Sequence, residues 1–300
     1  MIHTRSIRRV SPAIVAVLAA ATLTGCGWVN QFKAEKTLTE RTMHMDNSPL
    51  TVDSSNGSIE IIGSSSATEV EIVATIRCSG ETQAEADARL EEATIEVARA
   101  TDGTLTIKPI FPVQKRGNDG ASFVITIPNA QGITLDTSNG SLKVSNLSGR
   151  LFADTSNGRI EVLNHDGNVE LDTSNGRIIC TEINGDVFAD TSNGRIELTD
   201  IDGDITADTS NGKVKITLMS GQSGQIVADS SNGSITVNVA DGFHGTFSMD
   251  TSNASVTVND PHGKASSSTR KSSGSATVGD GSSESSLLTT SNGSITLNVN

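Results

Sequence analysis

From Asp154 the chain reads Asp-Thr-Ser-Asn-Gly-Arg-Ile-Glu-Val, and near-copies begin at Asp53, Asp136, Asp172, Asp190, Asp208, Asp229, Asp250 and Thr289. Five consecutive starts, at 136, 154, 172, 190 and 208, lie 18 residues apart. A fixed period of this length marks a unit that cannot bury its apolar side alone and stacks on its neighbours.

The unit from Gly149 to Asp166 divides into two halves, each opening on Gly with apolar third and fifth positions: Leu151 and Ala153, then Ile160 and Val162. Apolar residues at every second position describe half-buried strands. Asn-Gly also suits a two-residue hairpin turn, so a run of antiparallel hairpins is the competing arrangement. The constant register favours a mainly β fold, a parallel β-solenoid of 18-residue coils. Coils starting at 131, 149, 167, 185, 203, 224 and 245 would form a rod of roughly 34 Å at a strand spacing of about 4.8 Å. Four inward aliphatic residues per coil make a thin core with no room for an internal ligand.

Corresponding residues form columns. Asn139, Asn157, Asn175, Asn193, Asn211, Asn232 and Asn253 form a turn ladder, since Asn tolerates left-handed backbone and its amide can both donate and accept. A ligand-binding Asn row is the alternative. Asp136, Asp154, Asp172, Asp190, Asp208, Asp229 and Asp250 form an outward column, where neighbouring carboxylates about 5 Å apart repel by roughly 1 kcal/mol in water. Three things could offset this: an Asx-turn bond to the backbone N–H two residues on, the basic row Arg159, Arg177, Arg195 and Lys213, or calcium held by Asp154, Asp172, Asp190 and Asp208. Nonapeptide calcium rolls use paired glycines that are missing here.

The N-terminus carries Arg5, Arg8 and Arg9, then a short apolar run from Pro12 to Thr22, then Leu23-Thr24-Gly25-Cys26. The run is too short to span a bilayer. The segment resembles a bacterial lipobox, which implies cleavage before Cys26 and lipidation of its thiol; Gly27 in the next position favours the outer membrane of a Gram-negative cell. The net charge is −13, and −16 once Arg5, Arg8 and Arg9 leave with residues 1–25, which contain no acid. Such a surface is a poor partner for nucleic acid. There is no Tyr, and the single Trp, Trp28, lies beside the anchor, so sugar-stacking platforms are scarce. Phe152 and Phe188 fall outward with Glu170 between them and read as surface apolars. Cys180 takes a core position and Cys78 ends a strand; a bridge between them is possible.

Before the repeats, residues 36–45 read as a first strand and residues 50–62 as an isolated copy of the motif. Residues 69–77 alternate as a strand. Thr82-Gln83-Ala84-Glu85 is a capping box opening the one helix candidate, followed by a hairpin around Asp102-Gly103. Phe123, Ile125 and Ile127 mark one more strand. The resulting division is a signal segment 1–25, an anchor and lead-in 26–45, N-terminal strands and cap 46–130, solenoid repeats 131–260, a Ser/Gly-rich mobile loop 261–286, and a final coil 287–300.

With these motifs in place, residues 35–300 resemble the bacterial "putative adhesin" family, a domain of unknown function built of β-strand repeats. The likeness runs from Val52-Asp53-Ser54-Ser55-Asn56-Gly57-Ser58-Ile59 through the capped helix to Gly279-Asp280-Gly281 and Ser291-Asn292-Gly293-Ser294-Ile295. It implies a β-solenoid on the cell envelope and brings no catalytic residues.

The expected function is therefore a lipid-anchored, non-enzymatic envelope protein that needs no cofactor. It attaches to the membrane through Cys26 and presents an acidic rod to an envelope protein or polysaccharide. The alternative is a calcium-dependent or polysaccharide-processing β-helix protein. That chemistry needs an exception to the repeat, such as a carboxylate pair with separated pKa values. His165, in a repeat turn, and His244 and His262, in loops, read as solvated. A self-assembling filament is opposed by the N-terminal cap and the broken C-terminal period.

Overall fold

A computed structural model describes residues 32–112, 115–222, 224–281 and 285–300. The lipobox, Cys26 and Trp28 lie outside these residues. The chain is mainly β, with one helix among the described residues, Gln83–Glu92. Two long sheets of 12 and 13 strands, here the first and second sheet, face each other across one continuous core.

Through the repeats, successive strands alternate between the sheets. Val169–Thr173 lies in the second sheet and Ile178–Asn184 in the first. Each strand pairs in parallel with its counterpart one repeat away: Leu151 aligns with Val169, Val169 with Val187, and Ile160 with Ile178. Hairpins are thereby excluded for the repeats. Like residues stack on like. Ile160, Ile178 and Ile196 form one fully buried column, and Val162, Cys180 and Leu198 another.

Each of these coils buries one residue more than period-two reading allows. Asn146, Asn164, Glu182 and Asp200 adopt left-handed backbone, with φ of 57°, 51°, 59° and 61°. This breaks the in-out alternation and turns Leu147, His165, Ile183 and Ile201 into the core. His165 is thus no solvated turn histidine: it is 2% exposed and occupies the same column as Leu147 and Ile183.

The copy at residues 50–62 is isolated only in sequence. Its strands Leu50–Ser54 and Ile59–Gly63 stack directly on Gly132–Thr137 and Leu142–Ser148. Beyond it, Phe32–Met43, Glu69–Gly80 and Gly120–Ile127 extend the first sheet, and the antiparallel hairpin Thr94–Arg99 with Leu105–Ile110 extends the second. Thr82 Oγ1 accepts from Glu85 N (3.1 Å), and Glu85 Oε2 accepts from Glu81 N (2.8 Å).

The other end departs from sequence order. The last copy, Ser285–Thr290 and Ile295–Val299, does not stack outermost. It lies between the coil of Ile226–Ser230 and Ile235–Val239 and that of Gly245–Thr251 and Val256–Asn259. The reason lies in the Ser/Gly-rich stretch. Instead of a loop, it forms an antiparallel hairpin, Ala265–Thr269 with Ser273–Val278, and Ser273–Val278 covers the outer edge of Gly245–Thr251. The inner edge remains for the final copy.

Candidate functional site

One narrow edge of the stack carries all the Asp-Thr-Ser-Asn-Gly turns. Its interior is organised by a residue that period-two reading passes over as polar. Thr155, Thr173, Thr191 and Thr209 are at most 1% exposed. Each hydroxyl accepts from the backbone N–H three residues on and donates to a glycine carbonyl of the preceding coil. For Thr173 these are Gly176 N (3.1 Å) and Gly158 O (3.2 Å). Each hydroxyl closes its own turn and ties it to the one below. The signal was present in the motif: a polar residue at fixed inward parity.

The Asn side chains form a continuous amide ladder. Asn157 Nδ2 donates to Asn139 Oδ1, Asn175 to Asn157, Asn193 to Asn175, Asn211 to Asn193 and Asn232 to Asn211, all at 2.8 Å. Two rungs come from the outlying copies. Asn139 donates to Asn56 (2.6 Å), and Asn292 sits between Asn232 and Asn253, donating to one and accepting from the other (2.8 and 2.7 Å). Their shared Asn-Gly pair was the available clue; their distance along the chain hid it. The ladder ends on backbone, where Asn56 donates to the carbonyls of Gly117 and Asp119.

The Asp column behaves otherwise than its sequence suggests. Asp53, Asp136, Asp154, Asp172, Asp190, Asp208 and Asp229 stand in register, and Thr289 separates them from Asp250. No Asx-turn bond and no ion pair to the basic row forms with any described residue. The turn tip keeps the Asp column and Arg159, Arg177, Arg195 and Lys213 on opposite walls. Arg195 pairs instead with Glu197 (3.0 Å). Partial burial, and then the neighbouring carboxylates, push the carboxyls of Asp154 and Asp190 up. Asp136 and Asp208 are raised for the same two reasons. The candidates Asp154, Asp172, Asp190 and Asp208 bring one carboxylate per coil and no other ligand type. Among the described residues, no group of three or more His, Cys, Asp or Glu is placed to hold a metal ion.

The opposite narrow edge is acidic. Asp186 accepts from Asp204 N (3.0 Å) and Asn168 Nδ2 (3.2 Å), and Asn184 donates to Asp166 (3.0 Å). A shallow depression of about 260 Å³ lies there, lined by Pro128, Asn129, Asn146, Leu147, Ser148, Asn164 and Asp166. A second, of about 180 Å³, adjoins Phe243, His244 and Lys264. His244 Nδ1 contacts Asp280 Oδ1 (2.8 Å) in exposed turns. His165 Nε2 donates to Gly149 O (2.7 Å), Nδ1 is buried without a partner, and burial pushes its pKa down. Cys78 and Cys180 are free thiols, and burial pushes them up to about 11 and about 12. Phe188 is exposed on the outer face, with Glu170 between it and Phe152. No helix among the described residues is long and apolar enough to cross a membrane.

Residues 150–299 match the family described as a domain of unknown function, DUF7330. The chain belongs to this family. The matched stretch opens at Arg150 in the repeats and closes on the intercalated final copy, so the family covers the stack and its unusual end. No curated protein matches the chain. Solved structures similar to it include a "putative adhesin" from Bacteroides fragilis NCTC 9343, at 14% identity over 87% of this chain and 97% of that one, with a TM-score of 0.47. A "putative adhesin" from Parabacteroides distasonis ATCC 8503 is 12% identical over 88% and 97%, with a TM-score of 0.43. A "putative lipid binding protein" from the same organism is 14% identical over 87% and 96%, with a TM-score of 0.37.

Proposed function

We propose that this chain is a lipid-anchored, non-enzymatic protein of the bacterial cell envelope. In this reading the two sheets are the walls of a flattened β-solenoid, held at the membrane by acyl chains on Cys26, in the outer membrane of a Gram-negative cell. The rod presents its acidic outer surface to an envelope protein or polysaccharide. One observation carries the reading: the turn edge repeats the same Asp, Ser and Asn coil after coil. A repeated surface offers many equivalent weak contacts, as an extended partner requires, and no unique centre at which a transition state would be held.

Two experiments test it. Full-length chain should partition with the membrane fraction, and Cys26→Ser should release it; release of neither, or of both, would sink the anchor. Immobilised chain should retain envelope material in proportion to the number of intact coils. Hydrolysis of a polysaccharide, abolished by one substitution, would replace the binding rod with an enzyme.

A further inference from the structure

The turn edge carries two charged columns of opposite sign at one spacing. On the second-sheet side are Asp136, Asp154, Asp172, Asp190 and Asp208, aligned residue for residue. On the first-sheet side, one residue beyond each turn, are Arg159, Arg177, Arg195 and Lys213, all exposed. Their heights are set by the backbone: Ile160 N donates to Arg177 O, Ile178 N to Arg195 O and Ile196 N to Lys213 O, at 2.9, 3.0 and 3.0 Å. Each column repels itself, and within the chain neither reaches the other across the turn tip. Between them the tips expose only small polar residues, such as Ser138, Ser156 and Ser210.

We propose that this edge is the contact surface of a parallel, two-fold dimer, in which the Asp column of each copy faces the Arg/Lys column of the other. The geometry selects the orientation. A two-fold axis running along the stack turns the partner's edge to face this one and swaps its two sides. Asp154 then meets the partner's basic column at the height of Arg159, and both columns are neutralised at once. A two-fold axis across the stack leaves the sides unswapped and sets Asp against Asp and Arg against Arg. The opposite edge has no such complement. It carries Asp166, Glu182, Asp186, Asp200, Asp202 and Asp204, and its nearby Arg150 is already held by Glu170 (2.8 Å). That edge repels its own copy, so association closes at two. A single exposed pair contributes only about 0–1 kcal/mol, so the strength comes from four pairs in register on each side of the axis, and salt weakens it. The dimer does not depend on the anchor proposed above.

The test uses the whole chain with single cysteines at the turn tips and the unsubstituted chain as background. Under mild oxidation Ser156→Cys should cross-link to itself. Size-tagged copies carrying Ser138→Cys and Ser210→Cys should each cross-link to their own kind and not to each other. Combining Asp154→Lys, Asp172→Lys and Asp190→Lys should lower Ser156→Cys cross-linking by about tenfold, as should combining Arg159→Glu, Arg177→Glu and Arg195→Glu. Mixing these two reversed chains should restore it, which a folding defect in either would prevent. Cross-linking of Ser156→Cys no greater than background overturns the proposal. So does cross-linking between Ser138→Cys and Ser210→Cys, or a mixture that fails to restore.

Discussion

At the scale of single residues, stability rests on buried polar groups that serve the stack. Thr173→Val keeps the shape but strands Gly176 N and Gly158 O. The expected cost is about 1–3 kcal/mol by chemical denaturation. His165 is a misfit among Leu147, Ile183 and Ile201. It brings an unpartnered Nδ1 into the core and is neutral there because burial depresses its pKa. Above the unfolded pKa of about 6.5 both states are neutral and the group has no pH effect. As pH falls below that value, the unfolded chain takes the proton before the folded one, so stability declines until the depressed folded pKa is reached. His165→Leu should raise the melting temperature at pH 7 and flatten its decline between pH 7 and pH 5, read by calorimetry.

At the scale of elements, close approach of turns sets what is tolerated. A Cβ on Gly176 would lie 1.6 Å from Gly158 O, whereas one on Gly132 would have its nearest contact at 4.0 Å. Gly176→Ala should therefore cost at least about 3 kcal/mol, and Gly132→Ala stay within about 0.5 kcal/mol. Glu182 holds a left-handed conformation that its neighbours in the column fill with Asn or Asp. Glu182→Asn should stabilise by about 0.5–1 kcal/mol in a denaturant titration. These positions also mark where the sequence was legible. The 18-residue recurrence and the inward positions such as Leu151, Ala153, Ile160 and Val162 follow from side-chain parity alone. The extra core residue at 147, 165, 183 and 201 does not, because a change of backbone hand leaves no trace in hydropathy. The Asp and Arg columns were legible as columns. Their separation across the tip was not, because sequence spacing does not say which wall a turn-flanking side chain points from.

At the scale of the whole molecule, coils are nearly interchangeable, and pattern cannot rank their order. Ile295, Leu297 and Val299 repeat the parity of Ile235, Val237 and Val239, so the final copy fits any open edge. Only the hairpin on the far side of Gly245–Thr251 decides its place. Leu297 is fully buried between Val237 and Val258. Leu297→Ala should cost about 2–5 kcal/mol. In hydrogen exchange it should lower protection in Ile235–Val239 and Val256–Asn259 together, strands on either side of it; loss on one side only would contradict the intercalated order.

That order has a consequence in time. The copy at residues 285–299 is synthesised after both of the coils that flank it, so the strands that can first touch are not the ones that finally pair. Until it arrives, Ile235–Val239 and Val256–Asn259 offer each other matching edges, and a nascent chain can zip them shut in a register that looks native. Maturation then includes a parting of two already compatible layers, and the speed of that late exchange, more than the growth of the regular coils, governs how soon the molecule is finished.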